Sequence, residues 1–264
     1  SDVKVIPVTS KIEDNFALPS IELFEKKINN RTKAILICNP CNPTGYVYSK
    51  EEIVKIANLA KKNDLFIIVD EVYREFIYSD LKHFSILEDE TFFDNAILID
   101  STSKRYSLCG ARIGFIVSKN SNFIETCMKF ALARLSPPTV ALMAANNALK
   151  SDNKYISNVI KEYSTRRKVL IGELSKINNI EFSDPMGAFY SIIKLPVKNA
   201  EEFAKFLLTD FSINNESVML APAAGFYSSN DNGKDEVRIA FVLNSEKIKR
   251  AINIINIGLK EYIG

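Results

Sequence analysis

The chain has 264 residues, 47% of them hydrophobic and 25% charged, with 34 Lys plus Arg against 32 Asp plus Glu and a net charge of +2 with its one His neutral. Such a balance argues against a general nucleic-acid binder or a polybasic membrane-surface binder, both of which need a basic face, and no apolar run approaches the ~18 residues of a membrane span. At about 150 residues per domain the length predicts one to two domains with a sizeable core.

Ser1-Asp2-Val3-Lys4 has no initiator Met, basic n-region or apolar h-region, so a soluble chain with a cut start is expected. Val3 to Val8 reads like a strand. Four cysteines, at 38, 41, 109 and 127, are too sparse for a secreted disulfide framework and predict reduced thiols in a cytoplasmic protein. Cys38-Asn39-Pro40-Cys41 also has the form of a thioredoxin-like redox pair, but there is no second Cys-x-x-Cys to complete a zinc site.

Three short runs, Ala34 to Cys38, Leu65 to Val69 and Ala96 to Ile99, are nearly uniformly apolar, as strands covered on both faces should be. Between the first two, Ser49-x-x-Glu52 is a capping box, and Ile53, Ile56, Ala57 and Ala60 follow the i, i+3, i+4, i+7 pattern of a helix. Strand, helix, strand makes a βαβ unit and an α/β fold with a mostly parallel sheet. Ile113 to Val117 reads as a further strand, with helices near 121–133, 139–150 and 153–175. Beyond these, strands at Ala188 to Leu195, Val218 to Leu220 and Val237 to Val242 alternate with helices near 199–209 and 245–262. This change of pattern predicts a large domain over 1–160 and a smaller α+β domain over 161–264. Lys161 to Lys168 reads as a solvated helix face, and His83 as a loop residue.

Each of the three apolar strands is followed by chemistry: Asn39-Pro40-Cys41-Asn42-Pro43-Thr44-Gly45, Asp70-Glu71-Val72-Tyr73 and Ser101-Thr102-Ser103-Lys104. In a parallel sheet these segments emerge at the carboxyl ends of the strands, where open α/β proteins bind ligands. Pyridoxal phosphate needs such a set. Its aldehyde pairs with a Lys, its pyridine nitrogen with a carboxylate, its ring oxygen accepts hydrogen bonds, and its phosphate suits hydroxyls, backbone amides and an Arg fork. Lys104 offers the amine, Asp70 the carboxylate, Asn42 and Tyr73 the ring-oxygen donors, and Ser101, Ser103 and Arg112 the phosphate ligands. The lone His and the lack of a nucleophile elbow count against a His-ligated metal or a Ser-His-Asp triad.

These three motifs, followed by Gly110-Ala111-Arg112-Ile113-Gly114, closely resemble the successive motifs of class I/II aminotransferases of fold type I, in the same order and spacing and through essentially the whole chain. The resemblance implies that Lys104 carries the cofactor and shuttles the proton, and that Asp70, Tyr73, Asn42, Ser101 and Arg112 hold the ring and phosphate. Glu236 to Phe241 resembles the segment whose Arg, here Arg238, grips the substrate α-carboxylate. Ala133 to Pro138 resembles a stretch of bacterial aspartate-type members, in which Arg134 would suit a dicarboxylate side chain. The implied activity is amino transfer from an L-amino acid, with aspartate a candidate, to a 2-oxo acid, by a homodimer when complete. A carbon–sulfur β-lyase and the cofactor-binding sensor domain of a transcription regulator are the alternatives on the same scaffold; the intact Asn-Pro-x-Asn-Pro-Thr-Gly form favours transamination. The family's phosphate loop and ring-stacking aromatic would precede residue 1, so the 264-residue chain alone is expected to bind cofactor weakly.

Overall fold

The computed structural model describes residues 2–229 and 231–264. It divides into two compact units: Leu18–Cys41 with Val47–Ile160, and Ser1–Ala17 with Asn42–Tyr46 and Lys161–Gly264.

The first of these contains α1 (Ile21–Glu25), β1 (Ala34–Cys38), α2 (Lys50–Lys62), β2 (Phe66–Asp70), β3 (Ala96–Ser101), α3 (Thr102–Arg105), β4 (Gly114–Val117), α4 (Ser121–Arg134), α5 (Thr139–Leu149) and the start of α6 (Asn153–Leu174). Its sheet has the order β1-β2-β3-β4. The first three strands are parallel, with Cys38 opposite Asp70 and Asp70 opposite Ile99, and β4 returns antiparallel with Gly114 opposite Ser101. The capping box starts α2 as expected: Glu52 N donates to Ser49 Oγ at 3.2 Å and Ser49 N to Glu52 Oε2 at 2.8 Å. Its apolar face buries Ile53, Ile56, Ala57 and Ala60 in one core with Ile35, Ile37, Ile67, Val69 and Leu98 of the strands, each large side chain contributing about 1.5–3 kcal/mol.

Coverage of both strand faces is only partial. Side chains alternate along a strand, so the residues between those buried against α2 point the other way; there Ile97 is buried, whereas Leu36 is 66% exposed. α4 buries no residue and α5 only Ala145, leaving apolar side chains such as Phe130 (74% exposed), Leu132 and Val140 in solvent.

The second unit holds most of α6 and then β5 (Glu181–Phe182), β6 (Tyr190–Lys194), α7 (Ala200–Thr209), β7 (Ala221–Pro222), β8 (Glu236–Ala240) and α8 (Ser245–Ile263). Its sheet is antiparallel throughout, in the order β5-β6-β8-β7. α7 and α8 pack closely at Gly258, where a Cβ would lie 2.7 Å from Leu207 Cδ2.

Four expectations change. The large domain does not take in all of 1–160, because Ile12 and Phe16 bury with Ile192 and Ala223, Asp184 N donates to Asn15 Oδ1 at 2.8 Å, and Gly187 N donates to Gly45 O at 2.9 Å. Val3 to Val8 forms no strand; it has β-branched residues but pairs with no other strand among the described residues, and Val3 and Val5 are exposed. The strand expected at Val218 to Leu220 lies instead at β7, because pairing rather than apolarity places it: Ala221 stands opposite Arg238 and Pro222 opposite Val237. Within Lys161 to Lys168, Arg166 and Arg167 are largely covered: Arg166 donates to Val242 O at 2.6 Å, and Arg167 to Pro185 O at 2.5 Å and to Asp184.

Candidate active site

At the carboxyl ends of β2 and β3 the first unit brings five of the expected residues together. Asp70 ends β2 and accepts from Val72 N at 3.1 Å, which shapes the turn leading to buried Tyr73. Burial holds the Asp70 carboxyl above its usual range; the Val72 N–H opposes that rise, and the charges of Asp100 and Glu71 add to it. Ser101 ends β3 and caps α3, its Oγ accepting from Ser103 N at 3.0 Å and lying 2.8 Å from Ser103 Oγ. That short turn carries Lys104, whose Nζ stands 5.6 Å from the centre of the Tyr73 ring.

Residues that sequence reasoning passed over hold this cluster. Glu71, fully buried, accepts from His83 Nε2 (2.9 Å), Ser85 Oγ (3.0 Å) and Ile86 N (3.0 Å), so His83 is a loop residue that ties its loop to the end of β2. On the other side, Arg105 Nη2 donates to Asp100 Oδ2 at 2.8 Å and Arg105 Nε pairs with Glu75 Oε1 at 2.6 Å. Arg74 reaches the same two carboxylates, at 3.2 Å from Glu75 and 3.6 Å from Asp100. The signal was in the sequence, in an Asp directly before Ser101 and an Arg directly after Lys104, but only the fold shows that both are buried.

Arg112 lies in the loop before β4 with φ 57° and ψ 41°, a left-handed conformation uncommon for a residue with a side chain. Its side chain is exposed, donates to Cys109 O at 3.0 Å and, among the described residues, pairs with no carboxylate. Arg134 stands exposed in the last turn of α4, where a cation complements the helix dipole. Cys38 and Cys41 are thiols, Cys38 Sγ donating to Pro40 O at 3.2 Å.

In the second unit, Asn42 and Arg238 meet. Arg238 Nη1 donates to Asn42 Oδ1 at 3.0 Å, which leaves the amide's Nδ2 as a donor. The guanidinium carbon lies 4.6 Å from the centre of the Tyr190 ring and 4.8 Å from that of Phe226. Among the described residues no carboxylate pairs with Arg238, and its Nε has no hydrogen-bond partner. Gly45 closes the Asn-Pro-x-Asn-Pro-Thr-Gly segment at φ +75°, where a Cβ would fall 2.3 Å from Pro185 Cβ; only glycine fits.

In the first unit an amine, a half-buried carboxylate, a phenol, paired hydroxyls and the exposed Arg112 guanidinium are groups that suit pyridoxal phosphate; the second unit by itself offers an amide with its N–H₂ to give and, among the described residues, a guanidinium not paired with a carboxylate. Among the described residues there is no group of three or more His, Cys, Asp or Glu able to hold a metal, and no helix is long and apolar enough to cross a membrane.

Comparison with known proteins agrees. Residues 1–255 match the family model described as aminotransferase class I and II. An aspartate aminotransferase of Pyrococcus abyssi is 32% identical over 98% of this chain and 65% of its own length. Aromatic-amino-acid aminotransferase 2 of Thermococcus litoralis is 29% identical over 98% of this chain and again 65% of its own. The crystal structure of an aromatic aminotransferase from Pyrococcus horikoshii superposes with a TM-score of 0.85 at 30% identity, covering 96% of this chain and 66% of that one. The chain thus spans about 65% of the length of such curated relatives.

Proposed function

Because the chain belongs to the class I and II aminotransferases, we propose that it serves pyridoxal-phosphate-dependent transfer of an amino group from an L-amino acid to a 2-oxo acid. Aspartate is a candidate donor, and the aspartate and aromatic specificities named for its relatives mark the range. The observation that carries this is the Lys104 amine set beside the Tyr73 ring at the end of β3, with the Asp70 carboxyl at the end of the neighbouring parallel strand.

Pyridoxal phosphate, when bound, supplies an electron sink for the bond broken at the substrate α-carbon. Lys104 Nζ would hold the cofactor through its aldehyde and would move the proton at the substrate α-carbon as general base and acid. Asp70 would pair with the ring nitrogen and keep it protonated, and a cation there would offset the raised proton affinity that burial gives the carboxyl. By the family resemblance, Asn42 Nδ2 and the Tyr73 hydroxyl would each serve as donors to the ring oxygen, and Ser101, Ser103 and Arg112 would take the phosphate. Arg238 takes the substrate α-carboxylate through a bidentate fork. A role for Arg134 with a dicarboxylate side chain rests on the family resemblance alone.

The same proposal puts the protein in the cytoplasm, supported by cysteines that form no disulfide among the described residues, and makes the complete chain a homodimer, supported by the apolar side chains that α4 and α5 leave exposed.

The test is to mix protein and cofactor and follow the near-ultraviolet and visible absorbance. A band that vanishes in Lys104→Ala is expected; a band of equal size in both would overturn the assignment. Amino transfer to 2-oxoglutarate, assayed against pyruvate release from cystathionine, separates transfer from β-elimination.

A further inference from the structure

Arg105 has no part in the proposed reaction, yet it is among the most completely buried charges in the first unit, at 7% exposure. It belongs to a closed set of two guanidiniums and two carboxylates, Arg74, Glu75, Asp100 and Arg105, that alternate in sign at 2.6 to 3.6 Å. Asp100 and Arg105 are buried and Glu75 and Arg74 partly so; taking such charges out of water costs several kcal/mol per buried ion, and the attraction among them returns little beyond that, so the set is a poor way to gain stability compared with apolar packing. It is a good way to fix geometry, because a guanidinium fork meets a carboxylate only in a few orientations.

What the set fixes follows from its place in the chain. Arg74 comes directly after Tyr73, Asp100 directly before Ser101, and Arg105 directly after Lys104. Asp100 also ties its own end of β3 down, its Oδ1 accepting from Ser101 N at 2.7 Å. Three candidate residues on two separate segments are therefore each one peptide away from the same buried network. The two segments that must bring Lys104 and Tyr73 together are cross-linked just beyond those residues.

We propose that the Arg74–Glu75–Asp100–Arg105 network is the positioning device that sets the Lys104 amine against Tyr73, with Arg105 as the residue that joins its two carboxylates. This rests on Lys104 being the cofactor-holding amine. Arg105 touches neither cofactor nor substrate in this role; it acts through the turn it ends. A purely structural network would lower stability when broken but would leave the chemistry of Lys104 unchanged in any variant that still folds.

The experiment compares wild type, Arg105→Lys, and the triple variant Glu75→Gln, Asp100→Asn, Arg105→Met, which removes the charges of both signs so that no carboxylate is left buried without its cation. Folding is checked by circular dichroism. Two readouts are taken at peptide level: borohydride trapping of pyridoxal phosphate on Lys104, and, with no cofactor present, the time profile of Lys104 acylation by acetic anhydride at one fixed pH. In the folded triple variant, Lys104 trapping is expected to fall about 10-fold or more, as a displaced reacting group would, and its acylation profile to move toward that of the chain's exposed lysines. Arg105→Lys, which keeps the charge but meets only one carboxylate, should recover part of both. Trapping and acylation at wild-type levels in the folded variants overturn the inference; if the triple variant does not fold, unchanged values in Arg105→Lys do so alone. Wild type that shows no preference for trapping at Lys104 overturns the cofactor assignment instead, and the acylation profile then decides the positioning role without it.

Discussion

Arg105 and Arg238 are held in opposite ways. Arg105, in the first unit, spends its charge on two carboxylates of its own chain. Arg238, in the second, is held by two aromatic faces and one neutral amide oxygen, with no carboxylate paired to it among the described residues. Ring faces attract a cation through their quadrupole and fix the plane of the guanidinium, but they do not neutralise it. A cation bound by carboxylates is finished as an electrostatic object; one bound by rings and an amide is oriented and still charged. The first arrangement suits a strut, the second a receptor for an anion.

Substitutions can break that contrast. The largest effect is expected for Arg105→Met, which leaves buried Asp100 and half-covered Glu75 beside a single remaining cation and should cost about 3–5 kcal/mol in urea unfolding. A loss of under about 1 kcal/mol, as for an ordinary surface site, would mean that the two arginines are not different in kind. Arg238→Leu should behave the other way round. Its unfolding stability is expected to stay within about 1 kcal/mol of wild type, while kcat/KM for amino transfer falls about 100-fold, the equivalent of losing ~2.7 kcal/mol of charged contact to the substrate carboxylate. Phe226→Leu removes one of the two rings and should raise the substrate KM only a few-fold, in line with the ~0.5–1 kcal/mol of a partly exposed cation–π contact; an effect as large as that of Arg238→Leu would make the rings part of the binding surface.

The smallest effect, and the one that depends on sign, concerns Asp70. Its folded-state affinity for a proton is raised by burial, so between its unfolded and folded titrations the native chain binds more protons than the unfolded one. Its contribution to stability is therefore present in full at acid pH and is lost as pH rises through its folded-state titration. Asp70→Asn, measured without cofactor by thermal melts from pH 4 to 8, should lose part of the wild-type decline with rising pH and melt slightly higher than wild type at neutral pH. A lower melting temperature at every pH would show that the carboxylate is stabilised by partners after all.

Much of this could be read before any coordinates. β1, β2 and β3 were legible because apolar, β-branched runs of that length have few other solutions, and α2 because both halves of its capping box lie in the sequence. That Asp70, Tyr73 and Lys104 sit at the carboxyl ends of β2 and β3 was legible because their motifs adjoin such strands. The Arg105 network was not, since Arg74, Glu75, Asp100 and Arg105 look like ordinary surface charges until strand register brings them together. The aromatic clamp on Arg238 escaped for the same reason: Tyr190 and Phe226 come from β6 and from the turn after β7, and only the antiparallel pairing through β8 brings them near it. Side-chain type announced the chemistry, whereas support between distant segments became visible only with the pairing.

The bare apolar stretch on α4 and α5 also governs how the isolated chain behaves in a tube. With a net charge of only +2, two molecules meeting in solution feel little long-range repulsion, and Phe130, Leu132, Leu135, Val140 and Met143 offer each of them a greasy handhold. Concentrating the protein should therefore drive self-association that added salt does not relieve, and replacing Phe130 and Val140 by Lys should raise its solubility limit without disturbing the strand ends that carry the chemistry.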